Sequence, residues 1–306
     1  MVLVLGASGF LGRRVCKLLE LRGIQVAIAS KSLGTDLRNP AQTHELFLAN
    51  HPSHVIHCAS YGGGIQVNYD NPIAIFRDNL AMTMNVLDSS ARTGVQRVVQ
   101  PIANCAYPAS ASVFREAEFW DGPMHDSVLV TGFTRKAAIV GAWAYRKQMG
   151  LDTISLVLPN CFGIGDHLSP LRSHALGALV VKAVEAKMKG LEYLTVWGTG
   201  TPVREWLYVD DAAEALIRGL SCDPHEGVVN VGVQRGISVR ELAEMIAREV
   251  GFQGQLRYDA SKPDGAATKT INGDLGRKLL GWSPQVDLRE GIRRTVSWVR
   301  TQMEAK

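Results

Sequence analysis

The chain opens on Met1 to Gly12, MVLVLGASGFLG, and no other stretch restricts its fold as much. Val2 to Leu5 is apolar and as long as a buried strand. Gly6, Gly9 and Gly12 follow at once, and a helical pattern then runs through Leu21, with Leu11, Val15, Leu18 and Leu19 on one face. Strand, glycine turn and helix in that order form the opening of a dinucleotide-binding βαβ unit. Gly6 permits the tight turn, Gly9 lets the backbone approach a pyrophosphate, and Gly12 lets the helix lie close to the strand. The helix N-terminus adds N–H groups and partial positive charge. The competing reading is a glycine-rich turn that holds nothing.

Downstream, strands and helices alternate. Val26 to Ala29 reads as the second strand and His54 to Cys58 as the third, with helices expected over Pro72 to Thr93 and about Val128 to Met149. Between and after them, strands are expected over Arg97 to Ile102 and Thr153 to Leu158. This alternation predicts an α/β fold with a doubly wound parallel sheet. Ala109 to Asp126 reads as a loop beside the site. After Pro159 the alternation loosens: a helix over His174 to Met188, a strand near Leu194, a helix over Asp210 to Leu220, and a strand over Val228 to Val231. Ser238 and Glu241 form a capping box for a helix to Val250, and an amphipathic tail helix spans Leu288 to Met303. The division this implies is a dinucleotide-binding domain over 1–159 plus about 204–234. A smaller α/β substrate lobe takes about 160–203 plus 235–306.

At the end of the second strand an Asp or Glu would meet an unphosphorylated ribose. The chain has Ser30, Lys31 and Ser32 there, a cation and hydroxyls that suit a 2′-phosphate, so NADP is favoured over NAD. Lys31 as a solvated surface residue is the alternative. Asp36 and Leu37 lie where the adenine is often contacted, and Ala59 follows the third strand.

A net charge of +4 without a basic run argues against nucleic acid as a partner. Five cysteines (Cys16, Cys58, Cys105, Cys161 and Cys222) without a C-x-x-C pair point to reduced thiols, with no metal site. No apolar run reaches membrane-spanning length and no signal peptide is evident, so a cytoplasmic protein is expected.

WGTGTPVREWLYVDD (Trp197 to Asp211), DASKPDG (Asp259 to Gly265) and SHALGAL (Ser173 to Leu179), together with the glycine turn, carry a resemblance over nearly the whole chain. It resembles the extended short-chain dehydrogenase/reductase (NAD-dependent epimerase/dehydratase) family acting on nucleotide sugars, and within it the GDP-L-fucose synthases. The resemblance implies a Rossmann sheet, NADP, a nucleotide-diphosphate sugar substrate and a homodimer. It places Gly6, Ser8, Gly9, Phe10, Leu11, Gly12, Ser30, Lys31, Asp36, Leu37, Ala59 and Lys136 around the cofactor. Asn160, Arg204, Lys262 and Asp264 fall on the substrate, with Arg204 on its diphosphate. Cys105 and His174 match the family's epimerisation acid/base pair, a thiol and an imidazole that can both move protons near neutral pH.

The sequence departs from the family at its redox pair, Y-x-x-x-K on the helix expected over about Val128 to Met149. If Lys136 is the family lysine, Gly132 stands at the tyrosine position; in the other register Thr131 and Arg135 replace the pair. Ala103 stands where the family has a serine. The expected activity is epimerisation beside the 4-keto group of a (GDP-)4-keto-6-deoxyhexose with reduction lost, and Asn104, Thr131 or Lys136 must then stabilise the enolate. The alternatives are an epimerase/reductase with another proton donor (Tyr61, Tyr107 or Thr131) and a non-catalytic NADP-binding protein.

Overall fold

The computed structural model describes residues 1–169, 173 and 175–305, and of Ile65 the backbone only. Its first element, β1 (Val2–Leu5), is buried at every residue because strands flank it on both sides. In the first half follow α1 (Phe10–Leu21), β2 (Val26–Ala29), α2 (Pro40–Asn50), β3 (His54–His57), α3 (Ile65–Asp70), α4 (Pro72–Arg92), β4 (Arg97–Ala103), β5 (Val113–Phe114), α5 (Leu129–Met149) and β6 (Asp152–Leu158). The second half holds β7 (Asn160–Phe162), α6 (Ala175–Met188), β8 (Tyr193–Trp197), β9 (Val203–Tyr208), α7 (Val209–Arg218), β10 (Val228–Asn230), β11 (Gly236–Ser238) and α8 (Val239–Val250). It ends with β12 (Gln255–Asp259), β13 (Thr268–Ile271), α9 (Asp274–Leu280) and α10 (Leu288–Glu304).

Six strands form one sheet in the order β10-β6-β4-β3-β1-β2, every neighbouring pair parallel. This is the doubly wound α/β fold that the alternation predicts. Strand order reverses between β1 and β3, and the crevice at such a reversal, beyond the strands' carboxyl ends, is where ligands bind in open sheets. Gly6 and Ala59 meet there: a Cβ on Gly6 would lie 2.6 Å from the Ala59 nitrogen.

A second core, among them Leu176, Val180, Val184, Trp206, Ile246 and Val296, joins α6, α8 and α10 to β9. A five-stranded sheet runs β11-β9-β13-β5 with β7 also paired to β9, and β8 pairs with β12. The Ser238–Glu241 capping box forms as the sequence predicts. Helix α2 has no counterpart in the sequence reading, because it buries only Thr43 and Phe47 and so lacks a clear apolar stripe. The stretch read as a loop over 109–126 contains β5, which pairs with β13.

His57 ends β3 with 6% exposure, and its Nδ1 has no partner among the described residues. Burial first, and the nearby Arg135 charge second, push its pKa down to about 3. The unfolded chain regains the ordinary value of about 6.5. Between those two values the unfolded state binds a proton that the folded state refuses, so stability falls as pH falls through that window. His57→Gln is expected to flatten this part of the stability–pH curve in urea unfolding. Equal slopes in the two proteins would refute the assignment.

Candidate active site

The glycine turn is built by its own backbone. Gly6 has φ +75°, in the left-handed region that favours glycine, and its carbonyl accepts from the Gly9 N–H at 2.9 Å. A Cβ on Gly12 would collide with that same carbonyl. Helix α1 therefore starts at Phe10, directly after the turn, with no side-chain cap on its first N–H groups among the described residues. A cavity of ≈ 650 Å³ lies along it, lined by Ser8, Phe10, Arg13, Lys17, Leu33 and Ile164 among others.

At the end of β2 three hydroxyls are linked: Ser32 Oγ donates to Ser8 Oγ at 2.7 Å, and Ser30 and Ser32 lie 3.1 Å apart. Lys31 stands between these serines, exposed. Hydroxyl donors and a cation here suit a phosphate. Asp36 is already committed to Arg38, at 2.8 Å from Nε, which holds its pKa down at about 2, and Arg38 also reaches Asp78 at 2.9 Å. Leu37 is core, 3% exposed, and offers the crevice only its neighbourhood. Leu11 is half-buried against the sheet core. These residues fit a dinucleotide: glycines at 6 and 12 let the turn pack against Ala59 and under the start of α1, beside the linked hydroxyls and Lys31.

Cys105 lies in the single turn Asn104–Ala106 that follows β4. Helix α5 packs directly on it, since a Cβ on Gly132 would come within 2.6 Å of the Cys105 carbonyl. This contact fixes the helix rotation. Thr131 Oγ1 donates to Asn68 Oδ1 at 2.5 Å, and Arg135, one turn on, donates through Nη2 to Ser60 Oγ just past β3. Lys136 goes elsewhere. Its Nζ donates to the Gly122 carbonyl at 3.3 Å and lies over the Phe119 and Trp120 rings at 5.4 and 5.1 Å. Arg135 is thus the cation beside Ser60 and Cys105, with Thr131 one turn before it bonded to Asn68, and Lys136 supports the 109–126 segment.

Tyr107 is 2% exposed, donates to Asn230 Oδ1 at 2.8 Å and stacks on Phe114, so its phenol belongs to the core. Asn104, 8% exposed, has an Nδ2 without a partner among the described residues. His174 lies outside the described residues. Ser173 before it donates to Asp166 Oδ2 at 2.9 Å.

On the other side of Cys105, β9 and β13 set Arg204 beside Lys269. Arg204 donates to the Asp264 carbonyl at 3.0 Å and the Val203 carbonyl at 2.8 Å, and burial lowers its pKa. The Asp264 carboxylate accepts from the Thr199 N–H and Oγ1, both at 2.8 Å, and so ties the DASKPDG loop to the turn after Trp197. Lys262 Nζ stands over the Trp197 ring at 5.4 Å, as does Lys182 Nζ at 4.7 Å. Asn160 Nδ2 donates to the Glu205 carbonyl at 3.1 Å. Lys269 and Lys182 were missed by sequence reasoning. The available sequence signal for Lys269 is its position four residues after DASKPDG.

Burial raises the Cys105 thiol above the usual thiol range, opposed by Lys269 and Arg135. Because only the thiolate is a nucleophile, alkylation of Cys105 by iodoacetamide is expected to be slow near neutrality. It should keep rising with pH beyond the point where a free thiol levels off. A plateau at or below the free-thiol range would contradict this environment.

Residues 2–232 match the family model described as NAD dependent epimerase/dehydratase family. GDP-L-fucose synthase 1 of Arabidopsis thaliana is 34% identical, over 97% of this chain and 92% of that protein. Among solved structures, a GDP-6-OMe-4-keto-L-xylo-heptose reductase from C. jejuni superposes with TM-score 0.93 at 23% identity, covering 98% of this chain and 97% of that one. A GDP-L-fucose synthetase from Naegleria fowleri bound to NADP gives TM-score 0.89 at 24% identity, over 99% and 93%. Glycine turn, sheet order and whole-chain similarity agree: the chain belongs to the NAD-dependent epimerase/dehydratase family of enzymes and is GDP-L-fucose synthase-like.

Proposed function

We propose that this protein is a nucleotide-sugar epimerase that inverts a carbon beside the 4-keto group of a GDP-4-keto-6-deoxyhexose, and that it has lost reduction. The observation that carries this reading is Arg135 beside Ser60 and Cys105, with Thr131 one turn before it bonded to Asn68, where a tyrosine and lysine would serve hydride chemistry. Reduction needs an acid that protonates the new alkoxide. An alkyl hydroxyl such as that of Thr131 is a far weaker acid than a phenol, and a guanidinium does not give up its proton.

Inversion at carbon needs less. Cys105 takes the proton α to the ketone on one face, and His174 returns one on the other. NADP is proposed for the crevice, with Ser8, Ser30, Lys31 and Ser32 on its 2′-phosphate; the chemistry such a cofactor supplies is hydride transfer. Arg204 and Lys262 are proposed on the substrate diphosphate. A second reading, an epimerase/reductase, is favoured by the hydroxyl of Thr131 at the tyrosine position, which could turn from Asn68 to a substrate oxygen.

Incubation with GDP-4-keto-6-deoxymannose in deuterated water separates the readings. Deuterium entering the carbons beside the ketone, without NADPH consumption, is the expected result. Consumption of NADPH would transfer the assignment to the second reading, and neither signal would remove both. Cys105→Ser and His174→Asn should each slow exchange by about 10²–10⁴-fold, the usual share of general acid–base catalysis. Arg204→Ala should raise the substrate Kd in the same assay, and an unchanged Kd would remove Arg204 from the diphosphate.

For the cofactor, NADP should bind more tightly than NAD, and Lys31→Ala should narrow the difference; an unchanged preference would exclude Lys31 from the 2′-phosphate. A homodimer is proposed through α4 and α5, where Phe76 and Phe133 stack at 6.0 Å and Ile73, Val140 and Trp143 are exposed. A monomer's mass by light scattering would rule this out.

A further inference from the structure

Losing the phenol leaves an enolate oxygen without its family donor, and three groups around Cys105 bear on that deficit. Arg135 lies close enough for its charge to act on the thiol, and its only hydrogen bond among the described residues is the one from Nη2 to Ser60 Oγ. Its Nε is closed off from solvent and has no acceptor among the described residues. Lys269 approaches the thiol from β13, and burial lowers the pKa of both cations. Neither forms an ion pair with a carboxylate among the described residues, and the other charge near Lys269 is Arg204, a further cation. The third group is Asn104, with its unbonded amide nitrogen. Buried cations are ordinarily paired, and buried N–H groups ordinarily have acceptors. Here positive charge and free donors collect at one thiol, which describes a site made to receive an oxyanion.

We propose that Arg135, assisted by Lys269 and the Asn104 amide, holds the C4 oxygen of the enolate formed when Cys105 removes the neighbouring carbon-bound proton. This rests on the epimerase reading above. In the step, Cys105 starts as the thiolate, its own proton already passed to solvent, and a sulfur lone pair forms the S–H bond as the C–H bond breaks. The C–H electron pair becomes the new C=C bond, and the carbonyl π pair moves to oxygen. The charge there is met by N–H donors already in place. Protonation of the carbon from the other face reverses the electron flow and regenerates the ketone, so no oxidant or reductant is consumed. The same residue explains why reduction is absent: a guanidinium stabilises the oxygen as an anion and does not protonate it.

Solvent deuterium exchange by the full-length protein with GDP-4-keto-6-deoxymannose tests this. Arg135→Met should lower kcat for exchange by about 10²–10³-fold, the usual effect of removing an oxyanion donor, with KM changed little. Arg135→Lys, which keeps the charge but loses the forked donors, should fall between the two. Lys269→Met should cause a smaller loss in kcat. Exchange by Arg135→Met at the wild-type rate, or a loss confined to KM, overturns the proposal while the epimerase reading stands. Absence of exchange in the unmutated protein overturns both, and is recognised because it precedes any substitution. Should Arg135→Met fail to fold by circular dichroism, Arg135→Lys decides: undiminished kcat rejects the proposal.

Discussion

The carboxylate of Glu205 holds the two halves of the molecule in register. It is wholly buried in β9, where it accepts from the backbone N–H groups of Val233, Gln234 and Ile271, at 3.2 Å for Gln234 and 2.7 Å for Ile271. Burial raises its pKa, and these hydrogen bonds oppose the rise. A buried carboxylate persists when its lone pairs are filled, and here the donors come from β13 and from the segment after the last strand of the parallel sheet. Strand geometry sends the adjacent Arg204 to the opposite face. The inward carboxylate fixes β9, and the guanidinium on the other face bonds the Asp264 carbonyl with Lys269 beside it in register.

Around Cys105 the balance of charge follows from packing. The thiol sits in a turn pressed by α5, which excludes water and disfavours the thiolate; two cations offset part of that penalty. The cations in turn lack carboxylate partners among the described residues. Acidic groups near the site face away: Glu205 into the sheet junction, and Asp264 to Thr199. The result is a region tuned for transient negative charge, whether on sulfur or on a ligand oxygen.

Much of this was legible from local rules. The glycine turn, the strand–helix alternation, the capping box at Ser238 and Glu241, and the unusual serine–lysine–serine end of β2 are all short-range signals. A residue's neighbours within a turn or two decide them. Helix α2 and strands β11, β12 and β13 were not visible. Their residues lack a strong period, and β13 exists as a strand because β9 and β5 pair with it from distant parts of the chain.

The sequence by itself determined the cofactor-type fold, and that neither Thr131 nor Gly132, one turn before the two candidate cations, is a tyrosine. It did not determine whether Lys136 or Arg135 faces the Cys105 thiol. Adjacent helix residues point about 100° apart, and both registers place a cation one turn after a small or polar residue. Only the packing of Gly132 on the Cys105 carbonyl sets the rotation of α5. It directs Arg135 to Ser60 and the thiol, and sends Lys136 to the Phe119 and Trp120 rings.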